Sequence, residues 1–310
     1  MAKPNFETTR LVVADPGGQI RDEIRSVLHH EGFRDIALVE KVAEVEDLVA
    51  QGQVDLLIAD YEFPRGDMSD LVRRIRHHEV GDNPFIVIIM MAHDPEKEEI
   101  MRIIDTGSDD LILKPITAGA LVKRVNFLVS QRKDFVVTAD YIGPTRRTGT
   151  REGESVIQEL EVPNPVKRSA LGQTTGSNFQ KEIDEFAGII NEQKVERNAF
   201  QISFLVDTIV PLYVDGRAIS DTKMQLDRLK YVSEDIGRRM KDTKYDNVSE
   251  LCTSILDVVN NICKKPKKPE KKDLQLLPKL AQAIDVAFSA DPGDADIAQS
   301  ISDSVRRRDT

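Results

Sequence analysis

The sequence predicts an α/β fold, a five-stranded doubly wound parallel sheet, joined to an α-helical bundle. Two patterns predict it. Over the first 133 residues, five short apolar runs alternate with five stretches of helical period, whereas from about 179 to 290 the period is helical throughout. A crossover between parallel strands needs room for a helix, so strict alternation argues for a parallel sheet with helices on its faces. Length agrees. At 310 residues with 40% hydrophobic content, two domains are expected rather than one.

The elements follow in order. RLVVAD (10–15) reads as a strand ending on an acid, and QIRDEIRSVLHHEGF (19–33) places Ile20, Ile24, Val27 and Leu28 at helical spacing, with Gly32 as its stop. IALVE (36–40) and VAEVEDLVAQG (42–52) make the next strand and helix. In DLLIADYEFP (55–64), Leu56 to Ala59 lack polar alternation, which fits a central strand covered on both faces. A helix near 68–78, the strand PFIVIIMMA (84–92), a helix from about 95 to 106, the strand DLILKP (110–115) and a helix over 118–132 complete the sheet domain.

Residues 134–178 change texture. They are rich in Gly, Thr, Pro and charge without a sustained period, and are read as a linker. FVVTADYIGP alternates as if to pack on the preceding domain, and PTRRTGTR offers Arg146, Arg147 and Arg151 to an acidic or phosphate surface. Beyond it, Phe179, Ile183, Phe186 and Ile190 begin a bundle of four or five helices over 179–290, and 291–310 read as a flexible tail. Within the bundle, AFQISFLVDTIVPLYVDG (199–216) is the most uniformly apolar stretch, which suggests the most buried helix or an oligomer face, so a homodimer stays open.

Composition excludes several classes. No apolar run approaches the roughly 20 residues of a membrane span, and the start MAKPNFETTR lacks the apolar core of a secretory signal, so a soluble, cytoplasmic protein is expected. The formal net charge of −10 argues against a whole-chain nucleic-acid footprint. KKPKKPEKK (264–272) has lysines for phosphates but two prolines against a helix and no arginine or aromatic residue to read bases, so it reads as a solvated loop, and DNA binding is not expected. Cys252 and Cys263 lie about three helical turns apart, beyond disulfide reach. His29, His30, His77 and His78 read as surface residues of helices. All five histidines precede residue 134, so the bundle cannot be a histidine phosphotransfer domain.

Three strand ends carry ionic groups: Asp15, Asp60 and Lys114. Carboxyl ends of parallel strands are where such sheets place ligands and chemistry. Asp60 begins DYEFPRGD, with Phe63, Pro64 and Asp67 following, and TGSDDLILKP (106–115) supplies a Gly, an acidic pair and a Lys-Pro step. In this set and order, residues 8–132 resemble the receiver domain of bacterial two-component response regulators, which have a flavodoxin-like fold. The helical C-terminal part resembles no family we recognise.

The resemblance implies that Asp60 is the phosphoacceptor, that Lys114 assists, and that Mg²⁺ is held by Asp15, Asp60 and the backbone carbonyl of Glu62. It implies a histidine kinase or phosphotransfer protein as donor, a downstream protein partner for the helical domain, and no enzyme activity of its own. The peptide bond before Pro115 is expected to be cis. Chemistry makes the same demand, because negative charge gathering on a phosphoryl group must be neutralised by a cation and an ammonium. Three positions depart from the family. Ala14 replaces the first of two acids, Met91 the Thr or Ser that would bond the phosphoryl group, and Leu111 the switch aromatic. A phosphorylation-independent pseudo-receiver scaffold is therefore the alternative. A further one is a phosphatase with Asp60 as nucleophile, because Asp60-Tyr61-Glu62 faintly resembles the haloacid-dehalogenase loop.

Overall fold

The computed structural model describes residues 4–146, 158–173, 177–214, 220–241, 243 and 245–289. It divides into two units, residues 1–190 and 191–310, with the boundary inside one long helix.

In the first unit, β1 (Arg10–Ala14), β2 (Asp35–Val39), β3 (Leu56–Asp60), β4 (Val87–His93) and β5 (Asp110–Lys114) form one parallel sheet in the order β2-β1-β3-β4-β5. The intervening helices are α1 (Gly18–His30), α2 (Val42–Ala50), α3 (Met68–Arg76), α4 (Lys97–Asp105) and α5 (Ala118–Gln131). The expected fold is therefore present. Alternation explains why both faces of β3 are apolar. Leu57 and Ala59 join a core with Val45 of α2 and Leu71 of α3, while Leu56 and Ile58 join another with Leu28 of α1 and Leu121 of α5. Side-chain caps fix two helix starts, since Asp67 accepts from the Asp70 N–H and Thr117 from the Ala120 N–H.

The stretch expected to be a linker is folded wherever it is described. Phe135–Val137 (β6) and Ile142–Pro144 (β7) form an antiparallel pair, Leu160 bridges to Phe135, and Pro165–Ala170 forms α6. Its texture misled because the order comes from a few long-range contacts, which no local period reveals. Phe135 is fully buried, with the guanidinium groups of Arg76 and Arg132 over its ring, 5.2 and 4.9 Å from the centroid. Buried Arg76 donates to the carbonyls of Gly107, Pro84 and Ile86 and to Asp109, which also takes Arg132. Gly107, at φ +89°, lies against the Ile142 carbonyl where a Cβ would collide. Arg146 donates to the Ser108 carbonyl and to Tyr141, so this arginine is engaged within the unit. Arg147 and Arg151 lie outside the described residues. On the opposite side, Val166 and Ala170 of α6 enter the α1/α5 core.

His77 also departs from expectation. It is 2% exposed as the residue closing α3, because it follows Arg76 into the interior; His29, His30 and His78 are exposed.

Helix α7 (Ser177–Val214) begins in the first unit, and its later part joins α8 (Ser220–Met240), α9 (Asp246–Lys264) and α10 (Lys271–Ser289) around one core. Four helices thus build the second unit among the described residues. Over its described residues, 199–214, the apolar run is not buried all round, as the most buried helix would be. Ile202, Leu205, Val206 and Ile209 face the core, whereas Phe200 and Phe204 are exposed, being on the other side of the same turns. Cys252 is buried and free, its thiol pushed up to about 12 by burial, and Cys263 is free as well. The tail 291–310 lies outside the described residues. No helix among the described residues is long and apolar enough to cross a membrane.

Candidate functional site

Asp15, Asp60 and Lys114 come from three different strands and meet because those strands are parallel and end together. Asp15 directly follows β1, its N–H still bonded to the Val39 carbonyl of β2, and Asp60 and Lys114 are the last residues of β3 and β5. The register sets the levels. Asp60 lies opposite Met91 on β4, and Lys114 opposite His93.

The Lys114 Nζ is 2.7 Å from Asp15 Oδ2 and 2.7 Å from Asp60 Oδ2. The side chains of Asp15, Asp60 and Lys114 are only 2%, 11% and 11% exposed, so the triad is largely removed from water. Asp15 Oδ1 accepts from the Gly17 N–H at 2.6 Å, and Asp60 accepts from the backbone of Glu62. Two carboxylates and one ammonium leave one net negative charge. Burial pushes the Asp60 carboxyl above the usual carboxylate range; Lys114 opposes this and the neighbouring Asp15 adds to it. For Lys114, burial pulls downward, but its two carboxylate partners prevail and hold it above the ordinary lysine value.

The set fits a small hard dication. Carboxylates and a backbone carbonyl are the oxygen donors Mg²⁺ prefers, and the surplus negative charge is of the right sign. Position 14 adds no ligand, because the Ala14 methyl has no donor atom; it is wholly buried, paired with Val39 and Ala59. Met91 is also wholly buried, in the α1/α5 core, and offers only a weakly accepting thioether. Leu111 is half-buried against the other core, near Met90 and Ile103. The Lys114-Pro115 bond is cis, as the resemblance implied.

Sequence reading missed Arg21. Its guanidinium donates to the Asp15 carbonyl and lies 3.9 Å from Glu40. Nothing in the helical period distinguishes it from exposed Arg25 one turn later.

A model of the response regulator receiver domain family matches residues 11–126. Response regulator MprA of Mycobacterium bovis (strain BCG / Pasteur 1173P2) is 27% identical over 126 residues, 41% of this chain and 53% of that protein. Chemotaxis protein CheY1 of Helicobacter pylori is 29% identical over 123 residues, 39% of this chain and 96% of that protein. The chain thus spans about half the length of MprA. Among solved structures, the receiver domain of Francisella response regulator 1452 aligns with 39% of this chain and 96% of its own length, at 23% identity and a TM-score of 0.35. The response regulator receiver protein of Pseudomonas putida aligns with 41% of this chain and 98% of its own, at 25% identity and a TM-score of 0.34. No family matches the helical C-terminal region.

Proposed function

We propose that this chain, whose residues 11–126 match the response regulator receiver domain family, is a two-component response regulator that accepts a phosphoryl group on Asp60. A histidine kinase or phosphotransfer protein is the donor, and the helical region delivers the output through contacts with another protein. The protein acts as a signalling component rather than an enzyme, in the cytoplasm. The observation that carries this reading is the ammonium of Lys114 within 2.7 Å of both Asp15 and Asp60 at the carboxyl end of a parallel sheet.

Each residue has a task. Asp60 attacks phosphorus with one carboxylate oxygen; the bond from phosphorus to the donor breaks, and an acyl phosphate remains on Asp60. Lys114 stays protonated, held so by two carboxylates, and offers a fixed positive charge to the phosphoryl oxygens. Asp15, anchored by the Gly17 N–H, keeps Lys114 in place and holds it once Asp60 has been modified. Asp15, Asp60 and the Glu62 carbonyl would hold Mg²⁺, which when bound neutralises charge on the transferred group.

Met91 and Leu111 favour a second reading of the output. With no hydroxyl at Met91 and no aromatic ring at Leu111, the phosphorylated state gains few contacts that the free state lacks, and a modification shifts an equilibrium only by such differences. On that reading the domain binds its partners whether or not Asp60 is phosphorylated.

Phosphate-affinity electrophoresis after acetyl phosphate and Mg²⁺ tests the proposal. A retarded band in wild type that is absent in Asp60→Asn is expected. No retarded band under conditions that label a control receiver refutes phosphoryl acceptance and leaves the scaffold.

A further inference from the structure

In the second unit, the end of α7, the first turns of α8, the end of α9 and the start of α10 surround a groove of about 1240 Å³. Small-molecule sites run roughly 300–1,000 Å³, so there is room for a long chain. Val210, Tyr213, Leu226 and Leu274 give the groove an apolar lining. Around it stand Lys223, Lys230, Lys267, Lys268 and Lys271 against one acid, Asp227. None of the five has an ion-pair partner among the described residues. The nearby Glu270 is taken by Lys265 and Lys272, at 3.0 and 3.5 Å.

A second observation points to a ligand. Thr222, beside Lys223 on the groove wall, is 3% exposed, and its hydroxyl has no hydrogen-bond partner among the described residues. Buried hydroxyls in native folds nearly always have one. Five uncompensated lysines attract an anion, yet an apolar floor gives nothing to a bare phosphate or a nucleic-acid backbone. Both halves are satisfied by one molecule with an apolar chain and an anionic end.

We infer that this groove binds a single-chain anionic amphiphile, its hydrocarbon on the apolar lining and its carboxylate or phosphate head among the lysines and Thr222. The lysine cluster that the sequence presents as a solvated loop, 264–272, then supplies three of the five cations. The site is independent of the phosphoryl chemistry at Asp60.

The test is calorimetric titration of the full chain with palmitate and with palmitoyl lysophosphatidic acid, each kept below micelle formation, against neutral monopalmitoylglycerol. One saturable site for an anionic probe is expected, weakened about tenfold or more in Lys267→Glu/Lys268→Glu/Lys271→Glu. These lysines are all exposed, so the variant should keep its fold, which circular dichroism checks. Preference between the two anions identifies the head group. Cys263 lines the groove while Cys252 is in the core, so saturating ligand should also slow alkylation of Cys263. Absence of saturable binding, equal affinity for the neutral glyceride, or unchanged binding in the triple variant would each overturn the inference. So would unprotected Cys263, or saturation by an acidic amphipathic peptide but by neither anion.

Discussion

Replacing Lys114 with methionine keeps most of the aliphatic stem and removes the ammonium. Asp15 and Asp60 would then face each other, nearly out of water, without the cation that now lies 2.7 Å from each. A hydrogen bond to a charged group contributes about 1.5–3 kcal/mol, and removing one partner of a buried ion pair costs about 3–5 kcal/mol. Uptake of a proton by one carboxylate offsets part of that. The expected loss is therefore about 2–4 kcal/mol at neutral pH without Mg²⁺. Native-state amide exchange is the suitable assay, because the slowest amides of β1 and β3 report the opening of this unit by itself. Two controls separate charge from packing. Mg²⁺ should restore part of the loss, since it brings the missing positive charge to the same oxygens. Acidification into the carboxylate range should shrink the difference, because protonated carboxyls need no cation. An opening free energy within about 0.5 kcal/mol of wild type at neutral pH, with no response to Mg²⁺, would refute the electrostatic account of the site.

Other expectations follow from the same structure. The folded state holds the Asp60 carboxyl above its usual range, mainly through burial, so its contribution to stability is full below the unfolded carboxylate value and is lost as pH rises through the folded one. Asp60→Asn should therefore be more stable than wild type at neutral pH without Mg²⁺, with the gain disappearing near pH 4; urea titration at two pH values decides this, and a less stable variant contradicts it. Beryllofluoride with Mg²⁺ should change amide exchange little across residues 91–120, because Met91 and Leu111 supply no switching contact; strong protection there would show that a conventional switch survives. Arg76→Met should cost about 3–5 kcal/mol by leaving Asp109 and three carbonyls short of a donor, and Arg76→Lys should rescue little, since an ammonium lacks the planar fork. Faster exchange in β6 and β7 is the readout, and unchanged exchange there would detach the arginine from the hairpin.

The sheet and its helices are legible in the sequence, and so is the meeting of three ionic groups at one sheet edge. The apolar runs have strand length, the helices repeat at 3.6 residues, and a strand end fixes where a side chain emerges, so Asp15, Asp60 and Lys114 could be placed at one edge before any coordinates. The departures at Ala14, Met91 and Leu111 are legible only against the pattern of the family that the motifs resemble. Tertiary structure alone decided what distance in sequence hides. Phe135 looks like an ordinary residue of a linker until the guanidinium groups of Arg76 and Arg132, 59 and three residues before it, come within 5.2 and 4.9 Å of its ring centroid. Arg21 looks like a surface residue until its guanidinium meets the Asp15 carbonyl. Phe200 and Phe204 look like core until the helix turns them outward. Local period reports which residues share a face, but which face is covered, and by what, depends on long-range packing that no window of sequence contains.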